Sequence, residues 1–208
     1  MKRVVPRATV QRLPLYLKTL DHLTQEGISS EGLAAATGVN SAKVRKDLSY
    51  LGSYGVRGVG YEVEQLRFQI RRALGLTRDW RVVIVGVGNL GLALANYWGF
   101  AEEGFVVVGL FDSDPGKVGA HIDKLEIEPI DRLPAAVRRR RVSIGMIATP
   151  AHAAQEVADL LAGSGVRSIL NFAPTVIRVP PGVEVRRVDL SNELKVLSYY
   201  LHRTGIEE

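Results

Sequence analysis

The chain has 208 residues, of which 46% are hydrophobic and 24% charged, a globular composition that allows one large domain or two small ones. No stretch approaches the ~18 uninterrupted apolar residues of a membrane span, and the basic N-terminus lacks an apolar segment, so neither membrane contact nor a secretory signal is expected. The absence of cysteine excludes disulfides, thiolate catalysis and cysteine-ligated zinc, and a cytoplasmic protein is expected.

The positive charge is confined to the first part of the chain. Residues 1–79 contain 13 lysines and arginines against 7 acidic residues, a net charge of +6, whereas residues 80–208 contain 14 against 15, a net charge of −1. A basic excess in one segment is typical of a nucleic-acid-binding module. A small domain with a solvated basic face would have the same charge, so charge alone leaves both open.

The basic segment begins with two predicted helices. Leucines recur at helical spacing in residues 10–25, where Pro14 is expected to be tolerated in the first turn. A second helix of barely two turns follows, with Ser29 or Ser30 as its N-cap and Gly38 closing its C-terminus.

A third helix, residues 42–51, is predicted to begin at an Asn40 or Ser41 cap and to bury Val44 and Leu48. Its outer surface carries the basic and polar residues Lys43, Arg45, Lys46, Ser49 and Tyr50. A short helix, a tight turn and a second helix with a basic outer face form a helix-turn-helix arrangement.

The residues after Gly52 change to a period of two, with Val59, Tyr61 and Val63 alternating, which predicts a β-ribbon. A ribbon directly after the recognition helix is the wing of a winged helix. The GVGYEV stretch resembles the start of a nucleotide loop, but it lacks a third glycine, a preceding buried strand and a helix that begins at the glycines themselves. A further helix is predicted for residues 64–74, with apolar side chains inward and its arginines, Arg67 and Arg71, outward.

From Trp80 onward, apolar runs alternate with helical segments. The runs RVVIVGVG, FVVVGLFD, VSIGMIATP and SILNFAP predict strands buried on both faces. Strands that alternate with helices indicate a parallel, doubly wound sheet. The last predicted helix, SNELKVLSYYLHRTG, carries more apolar surface than a loose tail should show.

Gly86-Val87-Gly88-Asn89-Leu90-Gly91 matches G-x-G-x-x-G between a predicted strand and helix, where glycines admit a pyrophosphate. Asp112 ends the next strand 21 positions after Gly91, close to the ~20 expected for a ribose-binding carboxylate. This pattern favours NAD(H) over NADP(H), a preference that Lys117 could soften. A glycine turn without a ligand is the alternative.

The sequence contains few candidate catalytic residues. His152 could reach the cleft, but a solvated position at the start of a helix is the expected alternative. Asp131 is expected to cap a helix, and the arginines at 138–141 to form a solvated C-terminal turn rather than a second nucleic-acid patch. With no substrate domain left over, a ligand-gated DNA-binding protein is predicted. An NAD-dependent dehydrogenase with a small accessory domain and an architectural DNA-binding protein are the rivals.

VRKDLSYLGSYGVRGVGY, GVGNLG, FDSDPGKVG and NFAP, in this order, resemble the Rex family of bacterial redox-sensing transcriptional repressors. The resemblance implies a homodimer that binds a palindromic double-stranded DNA operator, senses the NADH/NAD⁺ ratio and is released by NADH. It also implies that the C-terminal helix is exchanged between subunits, which would cover the apolar residues Leu194, Leu197 and Leu201.

Three sets of site residues are predicted, and neither catalytic residues nor a metal site. The DNA-binding residues are Lys43, Arg45, Lys46, Ser49, Tyr50, Ser53, Tyr54 and Arg57. The residues for NADH or NAD⁺ are Gly86, Val87, Gly88, Asn89, Leu90, Gly91, Asp112, Thr149, Pro150, Asn171, Phe172, Ala173 and Pro174. The resemblance also implies a polar network of Arg12, Tyr97 and Asp189 that links cofactor pocket, exchanged helix and DNA-binding domain.

The predicted fold class is therefore α/β, with three parts. Residues 1–79 are expected to form a winged helix-turn-helix domain, and residues 80–188 a Rossmann-like domain with a doubly wound parallel sheet. Residues 189–208 are expected to form a C-terminal helix that is swapped in the dimer.

Overall fold

The computed structural model describes residues 4–52, 55–56 and 60–203. The chain divides into two compact units, Met1–Arg78 and Asp79–Glu208, and each has its own buried apolar core. No helix among the described residues is long and apolar enough to cross a membrane.

The first unit is helical, with one small sheet. Its elements are α1 (Arg7–Asp21), β1 (Gly27–Ile28), α2 (Ser30–Thr37), α3 (Ser41–Ser49), β2 (Tyr61–Glu62) and α4 (Val63–Leu74). The predicted helix-turn-helix is confirmed, because α2 and α3 follow one another around Gly38, whose φ of 69° closes α2. Ser29 caps α2 by accepting from the Gly32 N–H, and Asn40 caps α3 by accepting from the Ala42 N–H.

Helix α1 differs from its prediction. It begins at Arg7 because the carbonyl of the preceding Pro6 accepts hydrogen bonds from the N–H groups of Thr9 and Val10. Pro14 therefore lies inside the helix, and the prediction of a first-turn position is wrong.

The ribbon and the last helix of this unit also depart from expectation. Strand β2 pairs antiparallel with β1 rather than continuing to Val63, which is buried and begins α4 because the Glu62 carboxylate caps that helix. The prediction that Arg67 and Arg71 point outward is wrong. Both contact Asp21 of α1, with N–O distances of 3.0 and 3.6 Å.

The second unit is a seven-stranded sheet with helices on its two faces. Its strands are β3 (Trp80–Val85), β4 (Phe105–Asp112), β5 (His121–Ile122), β6 (Leu125–Pro129), β7 (Ile144–Ile147), β8 (Ser168–Asn171) and β9 (Glu184–Arg187). Its helices are α5 (Asn89–Ala95), α6 (Gly99–Glu102), α7 (Leu133–Arg140), α8 (Ala154–Gly163) and α9 (Leu190–Arg203).

The strand order is β5-β6-β4-β3-β7-β8-β9, and of these neighbouring pairs only β5 and β6 run antiparallel. Without the short strand β5, this is the 3-2-1-4-5-6 order of dinucleotide-binding folds, so the predicted doubly wound sheet is confirmed. Alternate residues of β3 are buried in different clusters: Val83 and Val85 on one face, Val82 and Ile84 on the other. The chain reverses direction across the sheet between β3 and β7, and this places a crevice at their carboxyl ends.

Three features of this unit refine the prediction. The arginines at 138–140 end a helix, but Arg140 is half-buried and pairs with Glu128 at an N–O distance of 2.6 Å, so the prediction of a solvated turn is wrong for this residue. Asp131 lies in a 3-10 turn, Ile130–Arg132, and not at the N-cap of α7, so that assignment is wrong too. Helix α9 has no buried residue, and Leu194 and Leu197 are exposed, as expected of a surface that awaits a partner. Its exchange between subunits stays a prediction.

Candidate dinucleotide and DNA-binding sites

A cleft of about 550 Å³ opens at the carboxyl edge of the sheet in the second unit. Its walls come from the ends of β3, β4, β7 and β8 and from the first turns of α5 and α8. The lining residues are Val85, Gly86, Gly88, Asn89, Leu90, Asp112, Ser113, Asp114, Lys117, Ile130, Ala148, Thr149, Pro150, His152, Ala153, Glu156, Val157, Leu160, Phe172 and Pro174.

The three glycines of the loop after β3 differ in what surrounds them. A Cβ on Gly86 would lie 2.8 Å from the Ala148 carbonyl, and its φ of +93° disfavours other residues. A Cβ on Gly91 would lie 1.9 Å from the Gly86 carbonyl oxygen, so this glycine lets α5 pack closely on the strand. A Cβ on Gly88 would meet nothing within 4 Å. The backbone at Gly88 therefore leaves open space in the cleft, as a pyrophosphate would require.

The carboxylate of Asp112 braces this loop. Its Oδ2 accepts from the Val87 N–H at 2.7 Å and from Lys117 Nζ at 3.1 Å, and its Oδ1 accepts from the Asp114 N–H at 2.9 Å. Burial alone would raise the pKa of Asp112, but these hydrogen bonds outweigh it and hold the pKa below its usual value. The group therefore stays ionised at the cleft wall.

At the ends of β7 and β8, the cleft is lined by a hydroxyl without a described hydrogen-bond partner and by a turn held by hydrogen bonds. Thr149 Oγ1 is buried, and no described residue forms a hydrogen bond with it. Asn171, fully buried, accepts from the Ala173 N–H and donates to the Thr175 carbonyl, both at 2.9 Å. These bonds hold the turn that presents Phe172 to the cleft.

A second candidate surface lies in the first unit, on the outer face of α3. Lys43, Arg45, Lys46 and Ser49 are exposed, and Tyr50 is half-buried. A row of cations on the second helix of a helix-turn-helix is the usual arrangement for contact with DNA phosphates and bases.

The inner face of α3 carries a buried aspartate, Asp47, which is bonded to three side chains of α1. Its two oxygens accept from Arg12 Nε and Nη2 and from the Tyr16 hydroxyl, each at 2.7 Å, and from the Thr9 hydroxyl at 2.8 Å. Burial alone would raise the pKa of Asp47, but the hydrogen bonds lower it below its usual value. Burial and the hydrogen bond to Asp47 raise the pKa of Tyr16 to about 12.

Two models of known protein families match different parts of the chain. Residues 77–175 match the family model "CoA binding domain", and residues 4–49 match "Putative DNA-binding protein N-terminus". The redox-sensing transcriptional repressor Rex of Streptomyces coelicolor is 59% identical over 99% of this chain and 81% of its own length. The Rex protein of Desulfitobacterium hafniense is 48% identical over 94% of both.

The chain belongs to the Rex family. The resemblance predicted from its motifs is thereby confirmed, and the family's members are redox-sensing transcriptional repressors. The crystal structure of RSP in complex with β-NAD⁺ and operator DNA is similar, with a TM-score of 0.92 and 35% identity over 99% of this chain and 96% of that one. The complex of RSP with β-NADH has a TM-score of 0.89 and 34% identity, covering 99% of this chain and 98% of that one.

The residues predicted to bind the cofactor fall into two groups, those that line the cleft and those that do not. Nine line the cleft: Gly86, Gly88, Asn89, Leu90, Asp112, Thr149, Pro150, Phe172 and Pro174. Four do not, namely Val87, Gly91, Asn171 and Ala173, all of which are buried. Their contacts position the loops around the cleft.

The sequence reasoning missed several groups at the two sites. Ser113 and Asp114 lie in the turn that follows Asp112, and Glu156 lies in the first turn of α8. The motif FDSDPGK contained the first two, whereas nothing near Glu156 signalled its position. Asp47 was also missed, although an acidic residue on the apolar side of a helix requires a partner.

The remaining predicted residues are placed as follows. Ser53, Tyr54 and Arg57 lie outside the described residues. Tyr97 is exposed and its ring meets Phe100 edge-on. Asp189 accepts from Arg187 at 2.5 Å and from Ser191. A network that joins these two residues to Arg12 stays a prediction.

Proposed function

We propose that this Rex protein binds a palindromic operator as a homodimer and leaves it when NADH occupies the cleft. The observation that carries the proposal is the pairing, in one chain, of an exposed basic recognition helix with a dinucleotide cleft at the switch point of the sheet. The same fold in RSP holds β-NAD⁺ and operator DNA in one structure and β-NADH in another.

The DNA end of the proposal depends on α3. Arg45 and Lys46 would contact bases or phosphates, and an arginine with two bonds to guanine contributes about 1–3 kcal/mol of discrimination. In a homodimer, two recognition helices about 34–36 Å apart would meet successive major grooves on one side of the duplex. The operator would then have two-fold symmetry.

The two ends of the dinucleotide cleft would bind different parts of the cofactor. The open backbone at Gly88 would admit the pyrophosphate, and Asp112 would face the adenosine ribose. NADH and NAD⁺ differ only at the nicotinamide, so the group that distinguishes them must lie at the other end of the cleft. The hydroxyl of Thr149, which has no hydrogen-bond partner among the described residues, and the side chain of Phe172 are the candidates there.

Release by NADH requires two states of the dimer. A ligand with equal affinity for both states shifts nothing, so NADH must bind the released state more tightly. A 100-fold effect on operator affinity corresponds to about 2.7 kcal/mol of differential binding. We propose that the dinucleotide is a regulatory ligand in a cytoplasmic protein and that no substrate is turned over.

The competing function is that of an NAD-dependent dehydrogenase, and one observation favours it: the exposed imidazole of His152 lines the cleft. A dehydrogenase needs a general acid or base at that place. Turnover that depends on His152 would support this rival and contradict a purely regulatory role.

The proposal is tested by fluorescence anisotropy of the full chain on a palindromic operator, with NADH and NAD⁺ added separately. Release by NADH, with little or none by NAD⁺, is expected. Gly88→Ala places a methyl group in the open part of the cleft and should weaken the NADH response at least tenfold while operator binding persists.

The matched control is Gly163→Ala, since Gly163 also has open space around it but lies outside the cleft. It should respond to NADH as the wild type does. Equal responses of Gly88→Ala and wild type would contradict the assignment of the cleft, and no sequence-specific DNA binding would overturn the proposed function.

A further inference from the structure

Arg45, the central cation of the recognition helix, is held by two residues of the neighbouring helix. Its Nη1 donates to Glu31 Oε1 at 2.6 Å and to Ser30 Oγ at 3.1 Å. The Ser30 hydroxyl in turn donates to Glu31 Oε2 at 3.1 Å. Ser30 is buried, whereas the side chains of Arg45 and Glu31 are 52% and 66% exposed. The ion pair therefore lies open to solvent on the surface that is proposed to meet DNA.

Among the described residues, hydrogen-bond partners are found at only one end of the Arg45 guanidinium. Within the described residues, the hydrogen bonds and the ion pair of Arg45 all use Nη1. The edge formed by Nε and Nη2 remains available, and two adjacent N–H donors are what a bidentate contact to guanine requires. The ion pair with Glu31 thus fixes the orientation of Arg45 and leaves its Nε and Nη2 atoms free to contact a base.

The carboxylate of Glu31 is kept ionised by its surroundings. Hydrogen bonds from its own backbone N–H, from Ser30 and from Arg45 hold the pKa of Glu31 below its usual value. At neutral pH the negative charge is therefore always present beside Arg45. A negative charge there repels DNA phosphates and offsets the attraction of the guanidinium for them.

We propose that Glu31 is a specificity-determining residue of the DNA-binding surface, acting through Arg45. Non-specific binding comes from phosphate contacts and ignores sequence, so a carboxylate that neutralises Arg45 toward phosphate weakens binding to every duplex. At the right operator, the free edge of Arg45 contacts a base and recovers affinity. This inference rests on the proposed function, because it presupposes selective DNA binding.

The substitution that tests it is Glu31→Gln, which removes the charge and keeps the shape. Binding to a shuffled duplex should tighten by about 1.5–5-fold for each protomer that contacts it, the range expected for an exposed charge pair. The dependence of log affinity on log salt should steepen by about 0.9 for each protomer, as for one additional phosphate contact, and so by about 1.8 for the homodimer. Operator binding should change less, so the ratio of operator to shuffled affinity falls.

A double-mutant comparison separates action through Arg45 from a general change in charge. In an Arg45→Ala background, Glu31→Gln should leave affinity for the shuffled duplex unchanged. The matched control is Glu64→Gln, which removes an exposed carboxylate of the same unit that pairs with Arg67 instead. An equal gain in Glu64→Gln, or a gain that survives in the Arg45→Ala background, would overturn the inference.

The experiment uses the full chain and an operator enriched from random duplexes by the wild-type protein, with a shuffled duplex of the same composition. If the wild type enriches no sequence, the proposed function fails and the inference fails with it. If the wild type enriches an operator but Glu31→Gln keeps the same affinity ratio, the inference alone is overturned.

Discussion

Two aspartates are buried among the described residues, one in each unit, and they are stabilised by different kinds of donor. Asp47 is 1% exposed and receives its hydrogen bonds from side chains of α1. Asp112 is 7% exposed and receives two from backbone N–H groups and one from Lys117. In both cases the hydrogen bonds outweigh burial and lower the pKa.

The difference in donors indicates a difference in role. Every bond to Asp47 joins α3 to another helix, so the carboxylate fixes the recognition helix on its own unit. The bonds to Asp112 shape the loop after β3 and the turn after β4, and the group also lines the cleft. We therefore propose that Asp47 is a positioning residue for DNA binding, and that Asp112 both positions a loop and contacts a ligand.

The largest expected effect is that of Asp47→Asn. It removes the charge partner of Arg12 and places an amide N–H₂ among hydrogen-bond donors, so the first unit should lose about 3 kcal/mol of unfolding free energy. Both tryptophans, Trp80 and Trp98, lie in the second unit. Denaturation of the full chain should therefore show an earlier helical transition by circular dichroism, with tryptophan fluorescence little changed.

The matched control for this change is Asp21→Asn, in the same unit. Asp21 also forms an ion pair with an arginine, Arg67, but the Asp21 side chain is 29% exposed, so its substitution should cost less than about 1 kcal/mol of unfolding free energy. Equal losses in the two variants would show that burial of the Asp47 network adds nothing, and would remove the comparison between the two aspartates.

Acid should reproduce part of the effect of Asp47→Asn. The folded-state pKa of Asp47 is depressed, so its contribution to stability is complete above the unfolded value of about 3.9 and is lost as pH falls through the folded value. The difference in unfolding free energy between wild type and Asp47→Asn should therefore narrow below pH ~4. A constant difference from pH 7 to pH 3 would mean that folding does not shift the pKa of Asp47, and would contradict stabilisation of the ionised carboxylate by its hydrogen bonds.

The sequence predicts the two units and the glycine loop because their signals are local. Caps at Ser29 and Asn40, the apolar run of β3 and the spacing of Gly86 to Gly91 each act within a few residues. The order of the sheet follows from the handedness of strand–helix–strand units. Short strands such as β9 escape prediction because EVRR has no apolar run.

The side-chain contacts around the candidate DNA-binding surface are not local. Arg12 and Asp47 are 35 residues apart, and Arg45 and Glu31 are 14 apart, so no short window shows either pair. Arg67 was expected to be solvated because its helix face looked polar, yet Asp21 of α1 lies beside it. The pairing of long polar side chains is decided by how the helices pack on one another. For this reason the fold is more predictable from the sequence than the site.

Of the two buried aspartates, Asp112 should show the smaller loss of stability when replaced by asparagine, and this sharpens the contrast with Asp47. The amide oxygen can still accept from one backbone N–H, and Lys117 can turn to solvent, so the second unit should lose only about 1–2 kcal/mol. NADH binding should fall further than stability, because the charge at the cleft wall is lost. Tryptophan-detected unfolding and a separate NADH titration measure the two effects.

The control is Asp114→Asn, because Asp114 lies in the same turn and its side chain is half-exposed. If this substitution weakens NADH binding as much as Asp112→Asn does, the ribose contact belongs to the turn and not to Asp112.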